Sequence, residues 1–378
     1  MIAVKPIASV SGAPNTTPPA PFAVVRLGYR PALDGVRGLA ILAVLAVNSL
    51  LPFFQGGFIG VDVFFVLSGF LITSLLMEEW SSTGTISLKR FYARRALRLL
   101  PALFVLLIAC CLYGFFFQSR EMATATWREA LWVLFYFANW MLTFEHEVGS
   151  LDHAWSLSVE EQFYLLWPVL LLGLLRLRVK RDRILILLLL AIASSFAWRA
   201  FLWSRGAHYL RLYYGTDTRA DAVLIGCVIG MLFSTGGLRS SAASQRVSAL
   251  LALLGVAFLL GVGMFVTHDS PFLYRGGFTL VALAAAGVII ETVGSRTSLA
   301  TRILSASPLA WVGRISYSLY LWHYPVFHAL RTERFHGFGW SPMLVQVIRF
   351  GAVFVAACAS FYFVEKRFLQ LKDKWTTK

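Results

Sequence analysis

Apolar blocks of about twenty residues recur along this chain, and that repetition constrains its fold more than any single motif. A helix needs roughly 20 predominantly apolar residues to cross the hydrocarbon core of a bilayer. Runs rich in Leu, Val, Ala and Phe lie near 33–51, 58–77, 97–117, 159–175, 184–203, 219–235, 247–266, 273–291, 309–330 and 344–364. The chain is 58% hydrophobic and 14% charged, against about 45–50% and about 25% for soluble domains. No stretch is polar and long enough to build a soluble core of its own. The expected fold class is all-α and integral to a membrane, with ten transmembrane helices in one membrane domain.

The formal net charge is +15. In a soluble chain such a charge points to nucleic acid. In a polytopic chain, basic residues mark the cytoplasmic loops, so no nucleic-acid partner is expected. With ten spans and a cytoplasmic N-terminus, the inner loops carry "LKRFYARRALR", "RLRVKRDR", "RSSAASQR", "SRTSLATR" and "EKRFLQLKDKW". The outer loop 118–158 is net acidic. A further apolar run at 127–144 would turn "RLRVKRDR" outward if it spanned, so a re-entrant or interfacial helix is expected there, with both termini cytoplasmic. Residues 1–29, rich in Pro, Ala and Thr, read as a disordered cytoplasmic tail, 30–368 as the membrane domain, and 369–378 as a basic cytoplasmic tail. Cys110, Cys111, Cys227 and Cys358 lack metal-ligand spacing and read as buried thiols; no metal is expected.

An ionisable group inside a membrane helix is costly and is by default a functional candidate. Arg37 and Asn48 lie eleven residues apart on the first run, which returns them to nearly one helix face roughly 16 Å apart along the axis. Asp62 opens the second run after a turn that Gly56 and Gly57 make possible, as a site residue or a helix cap, and Ser68 follows within that run. "RRALR" sets Arg94, Arg95 and Arg98 on one inner helix turn, for lipid headgroups or as a phosphate clamp. "LDHAWSLSVEEQFYLLWP" gathers His153, Glu160 and Glu161 at the outer end of the fourth span. "TDTRADAVLIG" opens the sixth with Asp217, Arg219 and Asp221, which form either an ion-paired structural cluster or part of a site. "RISYSLYLWHYPV" carries Ser316, Tyr317, Tyr320 and His323, the last toward the outer half.

These motifs, with "YRPALDGVRGLAILAVLAV" and "GGFIGVDVFFVLSGFLIT", stand in an order that resembles the acyltransferase-3 family of integral-membrane, mostly bacterial acyltransferases. The resemblance covers about residues 30–368. It implies transfer of an acyl group, usually acetyl, from cytoplasmic acyl-CoA to a hydroxyl of a glycan or glycoside at the outer face of the bacterial inner membrane. It also implies acetyl-CoA or another acyl-CoA as donor substrate, with membrane lipid as the surrounding partner. Some members carry a C-terminal SGNH-type domain; none is expected here. The family's Arg-x10-His pattern falls on Arg37 and Asn48, so asparagine stands at the position of the family histidine. The Arg-x-x-Arg element matches Arg95 and Arg98, implicated in donor binding together with Arg37, Arg94 and Ser68. Gly56, Gly57, Glu161, Asp217, Arg219 and Asp221 are assigned to the acceptor side.

Acyl transfer needs a base for the acceptor hydroxyl, a stabilised oxyanion and a held donor. A histidine at position 48 could take the proton, oriented by Asp62. An asparagine amide hydrogen-bonds but does not take up a proton near neutral pH, and the expected function is impaired accordingly. Three explanations stand open: a substitution that disables an otherwise active enzyme; another base, namely His323, His153 or Glu160; or a non-catalytic relative that binds acyl-CoA, lipid or glycan. A transporter is the remaining class; inverted repeats would support it, and the sequence shows no internal repeat.

Overall fold

The computed structural model describes residues 25–49, 53–144, 149–238, 241–295 and 297–370. Among them the chain is helical and holds no strand. It opens on an antiparallel pair, α1 (Pro31–Asn48) and α2 (Gly60–Thr83), joined through a short 3-10 turn at Gly57–Ile59. The long α3 (Leu88–Phe117) precedes two short helices, α4 (Arg120–Leu134) and α5 (Ala138–Thr143). Then come α6 (Trp155–Arg176), α7 (Arg181–Ser204), α8 (Tyr209–Tyr214), α9 (Thr216–Ser234), α10 (Ala242–Phe265) and α11 (Phe278–Gly294). The last third holds α12 (Leu299–Leu304), α13 (Ser307–Arg314), α14 (Ser316–Ala329) and α15 (Pro342–Ala359).

Eight helices among the described residues are long and apolar enough to cross a membrane: Pro31–Asn48, Gly57–Thr83, Leu88–Phe117, Gly149–Arg176, Arg181–Ser204, Ala243–Phe265, Leu273–Gly294 and Pro342–Gln370. Leucines of α7 and α10 face outward, Leu189, Leu190, Leu253 and Leu254 among them. So extended an apolar exterior suits hydrocarbon rather than water. The other two of the ten expected runs are helical but differ in kind. α9 carries Asp217, Arg219 and Asp221 in its first two turns and is mostly buried, so protein rather than lipid covers its charges. The run 309–330 is divided at Ile315 between α13 and α14. Irregular backbone at membrane depth is tolerated where protein covers it or where it lines a cavity, and this break does border one.

The segment 127–144 is also divided. α4 has 15 residues and α5 six, both short of a crossing. The turn between them puts Tyr136 in the left-handed region at φ 58°, and its carbonyl oxygen accepts from Gln162 Nε2 at 2.8 Å. Val25–Tyr29, assigned by sequence to the tail, run against the body: Val25 N–H donates to Ser234 O at 2.8 Å and Leu27 is buried. The rest of the expected N-terminal tail, 1–24, and most of the C-terminal one, 371–378, lie outside the described residues. Cys110, Cys111 and Cys227 are buried and Cys358 partly so, all as free thiols.

Small residues set the closest helix contacts, because between membrane helices packing substitutes for hydrophobic drive. α2 and α9 touch backbone to backbone. A Cβ on Gly69 would stand 2.0 Å from Val223 O, and one on Gly226 would stand 2.1 Å from Val66 O. On α1, a Cβ on Gly38 would fall 2.4 Å from Leu309 O of α13. Gly226→Ala should therefore push α2 and α9 apart and cost roughly 1–3 kcal/mol, the usual price of overpacking. Thermal unfolding in detergent checks this, and an unchanged midpoint would contradict the close approach.

Candidate active site

Five helices enclose the principal cavity: α1, α2, α3, α6 and α14. Its volume is about 90 Å³, and its wall includes Arg37, Ser68, Arg95, Arg98 and Glu160. The sequence assigned all five to chemistry from separate motifs, and the fold brings them together.

At one end the cavity is strongly basic. Arg95 and Arg98 are three residues apart on α3 and share a face. Arg95 Nη2 donates to Glu161 Oε1 at 3.1 Å, while its guanidinium lies 3.6 Å above the Tyr164 ring. Stacking and pairing hold that guanidinium flat, and its Nε is buried without a hydrogen-bond partner. Arg37 reaches Asp34 at 3.4 Å on its own helix, and Tyr29 also donates to Asp34. Arg98 has no carboxylate within ion-pair distance among the described residues. Three guanidiniums thus meet in one low-dielectric space beside Asp34, Glu160 and Glu161, and of the three only Arg98 has no carboxylate in contact among the described residues, which leaves its fork open to an anionic guest.

Toward the other end the wall changes to hydroxyls. Ser68 donates to Glu160 Oε1 at 2.6 Å, tying α2 to α6. Tyr317 donates to Leu99 O at 3.0 Å. Ser156 and Tyr320 share a hydrogen bond of 2.6 Å, and the Tyr320 hydroxyl also bonds His153 O. Ser156, Glu160 and Tyr164 climb two turns of α6, roughly 12 Å, so the cavity is a channel segment rather than a spherical void. The helix break at Ile315 is beside it, since Ser316 and Tyr317, the next two residues, are part of its wall.

Beyond Tyr320 are two buried imidazoles. His153 and His323 meet edge to face with centroids 5.2 Å apart, and Tyr324 stacks on His153 at 5.4 Å. Asn48 is the last residue of α1, with its side-chain amide donating to Val44 O at 2.9 Å, and is not part of the cavity wall. The adjacent Ser49 O accepts from Gln346 Nε2 at 3.0 Å.

Other assigned residues stand apart from the cavity. Asp62 accepts from Arg219 Nη2 at 2.7 Å, both essentially without solvent exposure, and the Arg219 guanidinium rests 3.7 Å from the Phe278 ring. Asp221 is gripped by both terminal nitrogens of Arg199 at 3.0 and 2.9 Å and by Thr279 at 2.6 Å. Asp217 takes Arg211 at 2.6 Å and the Trp198 indole at 2.7 Å. Together these pairs join α2, α7, α9 and α11. Arg94 pairs with Glu79 at 3.5 Å, where Arg90 also binds at 3.8 Å, outside the cavity. Gly56 and Gly57 serve close packing: Cβ atoms there would stand 2.0 Å from Val262 O and 2.2 Å from Ala43 O. Tyr164 was missed by sequence, although its spacing from Glu160 and Glu161 puts it one turn away on the same helix.

A multi-helix membrane protein with a basic cavity running to a hydroxyl-rich end and a histidine pair is suited to holding an anionic donor beside an acceptor. The comparisons agree on the class. A family model described as an acyltransferase domain matches residues 30–363, and the chain belongs to that family, acyltransferase 3. It is 36% identical over 350 residues to the peptidoglycan O-acetyltransferase OatA of Listeria monocytogenes, covering 89% of this chain and 55% of that protein. It is 35% identical over 310 residues to the putative peptidoglycan O-acetyltransferase YrhL of Bacillus subtilis, covering 79% and 48%. It is 33% identical over 346 residues to the O-acetyltransferase OatA of Staphylococcus aureus, covering 89% and 57%. The chain therefore spans about half the length of these curated relatives. No solved structure matches it.

The Asp62–Arg219 pair should be structural. Asp62→Ala leaves a guanidinium buried without its carboxylate, a loss of about 3–5 kcal/mol. Thermal unfolding of Asp62→Ala, Arg219→Ala and the double variant checks this. The double variant should be less damaged than either single one, and independent additive losses would contradict the pairing.

Proposed function

We propose that this chain is a bacterial inner-membrane O-acyltransferase. It moves an acetyl group from cytoplasmic acetyl-CoA to a hydroxyl of a cell-wall glycan at the outer face. The observation that carries this reading is the single cavity in which Arg37, Arg95, Arg98, Ser68 and Glu160 converge. The relatives' names supply the acetyl group and the peptidoglycan acceptor.

The basic end faces the cytoplasm in this reading, because the net charge of +15 gathers in the loops assigned there. Ten crossings follow if α9 and the broken α13–α14 pair are counted with the eight apolar helices, the charges of α9 being neutralised by buried partners. Arg98 and Arg95 take the donor's phosphates, and the pantetheine arm runs along the cavity toward Ser156 and Tyr320. Fork-shaped guanidiniums suit phosphate geometry. The stacking of Arg95 on Tyr164 fixes one of them in advance, which lowers the ordering cost of binding. The acceptor hydroxyl approaches from the outer side. Position 48, where the resemblance calls for a histidine, holds an amide that cannot take its proton. Transfer through that position is closed in this chain, and the reaction depends on another base.

Acetyl-CoA binding to the protein in lipid nanodiscs tests the donor site. Arg98→Ala should weaken it at least about tenfold, the loss of one charge-assisted phosphate contact; equal affinity would remove the clamp. Release of CoA thiol with an N-acetylglucosamine oligomer as acceptor tests the reaction. Passage of unmodified acetyl-CoA across a proteoliposome membrane would instead make the chain a transporter.

A further inference from the structure

Resting on that reading, we infer that the proton acceptor of this chain's transfer reaction is the His323–His153 pair, with His323 taking the acceptor's proton on Nε2. Three observations converge on it.

The first is tautomer. His323 Nδ1 lies 2.6 Å from Tyr320 O, and His153 Nε2 lies 3.1 Å from Leu321 O. A carbonyl oxygen only accepts, so both of these ring nitrogens carry the hydrogen. Each ring then presents a bare lone pair on its other nitrogen, His323 Nε2 and His153 Nδ1. Both are buried and have no hydrogen-bond partner. A buried polar atom left unpaired in a native fold calls for an explanation, and two in rings 5.2 Å apart call for a shared one. A backbone-anchored imidazole with its second nitrogen open is the arrangement a general base needs.

The second is position. Tyr320 belongs to the cavity wall and touches both histidines, with ring centroids 5.4 Å from His153 and 5.5 Å from His323. Its carbonyl orients His323, and its hydroxyl closes on Ser156 and His153 O. Tyr320 thus stands between the hydroxyl-rich end of the cavity and the pair, in contact with both, and must move aside for the acceptor hydroxyl.

The third is elimination. Asn48 has no basic nitrogen, and its amide N–H is engaged by Val44 O. Glu161 is committed to Arg95, and Glu160 has Oε1 taken by Ser68 but keeps Oε2, so Glu160→Gln is measured beside His323→Gln, and loss of turnover in Glu160→Gln alone overturns the proposal.

The step balances without an added reagent. The acceptor oxygen attacks the thioester carbonyl carbon as its proton passes to His323 Nε2. The carbon–sulfur bond then breaks, and the departing CoA sulfur takes the proton back from the imidazolium. Products are the O-acetyl ester and CoA thiol, and the imidazole is regenerated. His153 acts as a positioning residue that packs against His323.

The experiment measures CoA release in nanodiscs from acetyl-CoA and an N-acetylglucosamine oligomer for the unaltered chain, Asn48→His, His323→Gln and His323→Gly. Expected are turnover by the unaltered chain, a fall in kcat of at least roughly 10²-fold in His323→Gln with KM for acetyl-CoA little changed, and partial recovery of His323→Gly by added imidazole. If His323→Gln also loses acetyl-CoA binding, recovery of His323→Gly by imidazole decides: recovery upholds the proposal and its absence overturns it. Undiminished kcat in His323→Gln overturns the proposal, as does a silent unaltered chain beside an active Asn48→His, since the base then belongs to position 48 while the acyltransferase reading stands. Silence from both overturns that reading and the proposal with it. Nitrogen NMR of histidine-labelled protein gives a readout free of activity: Nδ1 of His153 and Nε2 of His323 should be unprotonated, and the opposite tautomers would overturn the assignment.

Discussion

In a membrane interior a charge persists only beside its opposite, and the fold divides along that line. Asp62–Arg219 and Asp221–Arg199 are buried pairs with short contacts and further hydrogen bonds from Thr279. They fasten α2, α7, α9 and α11 into a frame. In the cavity that α2 also borders, Arg37 and Arg95 each contact a carboxylate while Arg98 has none within ion-pair distance among the described residues. Burying charge is costly in either place. In the first each guanidinium contacts its carboxylate directly; in the second Arg98 lacks such a contact, and an anionic guest would supply it. Separating the paired charges from the under-paired ones gives the molecule a rigid half and a receptive half.

The receptive half depends on a break in regular structure. α14 starts immediately after Ile315, so Ser316 and Tyr317 join the cavity wall and Tyr320 reaches Ser156 one turn on. A continuous helix would satisfy its own backbone and present only side chains. Here Ile315 still donates to Trp311 O and accepts from Leu319 N, so the break redirects the helix and its side chains rather than freeing backbone groups. The same short stretch of α14 carries Tyr320 of the cavity wall and His323 of the histidine pair.

Much of this was legible in the sequence. Recurrent apolar runs gave the class, and loop charge kept 127–144 from being counted as a span; the structure makes it two helices about the turn at Tyr136. The motifs singled out Arg37, Ser68, Arg95, Arg98 and Glu160 one by one, with the arginines at the inner end and Glu160 at the outer, and the fold puts all five in one cavity wall. What the sequence could not show was pairing across helices. Asp62 reads by sequence as a site residue or a cap, and Arg219 and Asp221 as a site or an ion-paired cluster; the partners they take are 157 and 22 positions away along the chain. Nor could it show that Arg94 turns to Glu79 while Arg95, its neighbour, enters the cavity. Adjacent helical residues diverge by about 100°, and only packing decides which one points inward. The break at Ile315 left no Pro or Gly signal at that residue.

The proposed function puts the acyl donor in the three-arginine cavity with its thioester at the Ser156–Tyr320 end. A cryo-electron microscopy structure of the chain in a nanodisc with acetyl-CoA tests it most directly. Donor density with phosphates at Arg95 and Arg98 and the thioester beside Tyr320 is expected. Donor density elsewhere, with the cavity unfilled at saturating acetyl-CoA, would contradict it.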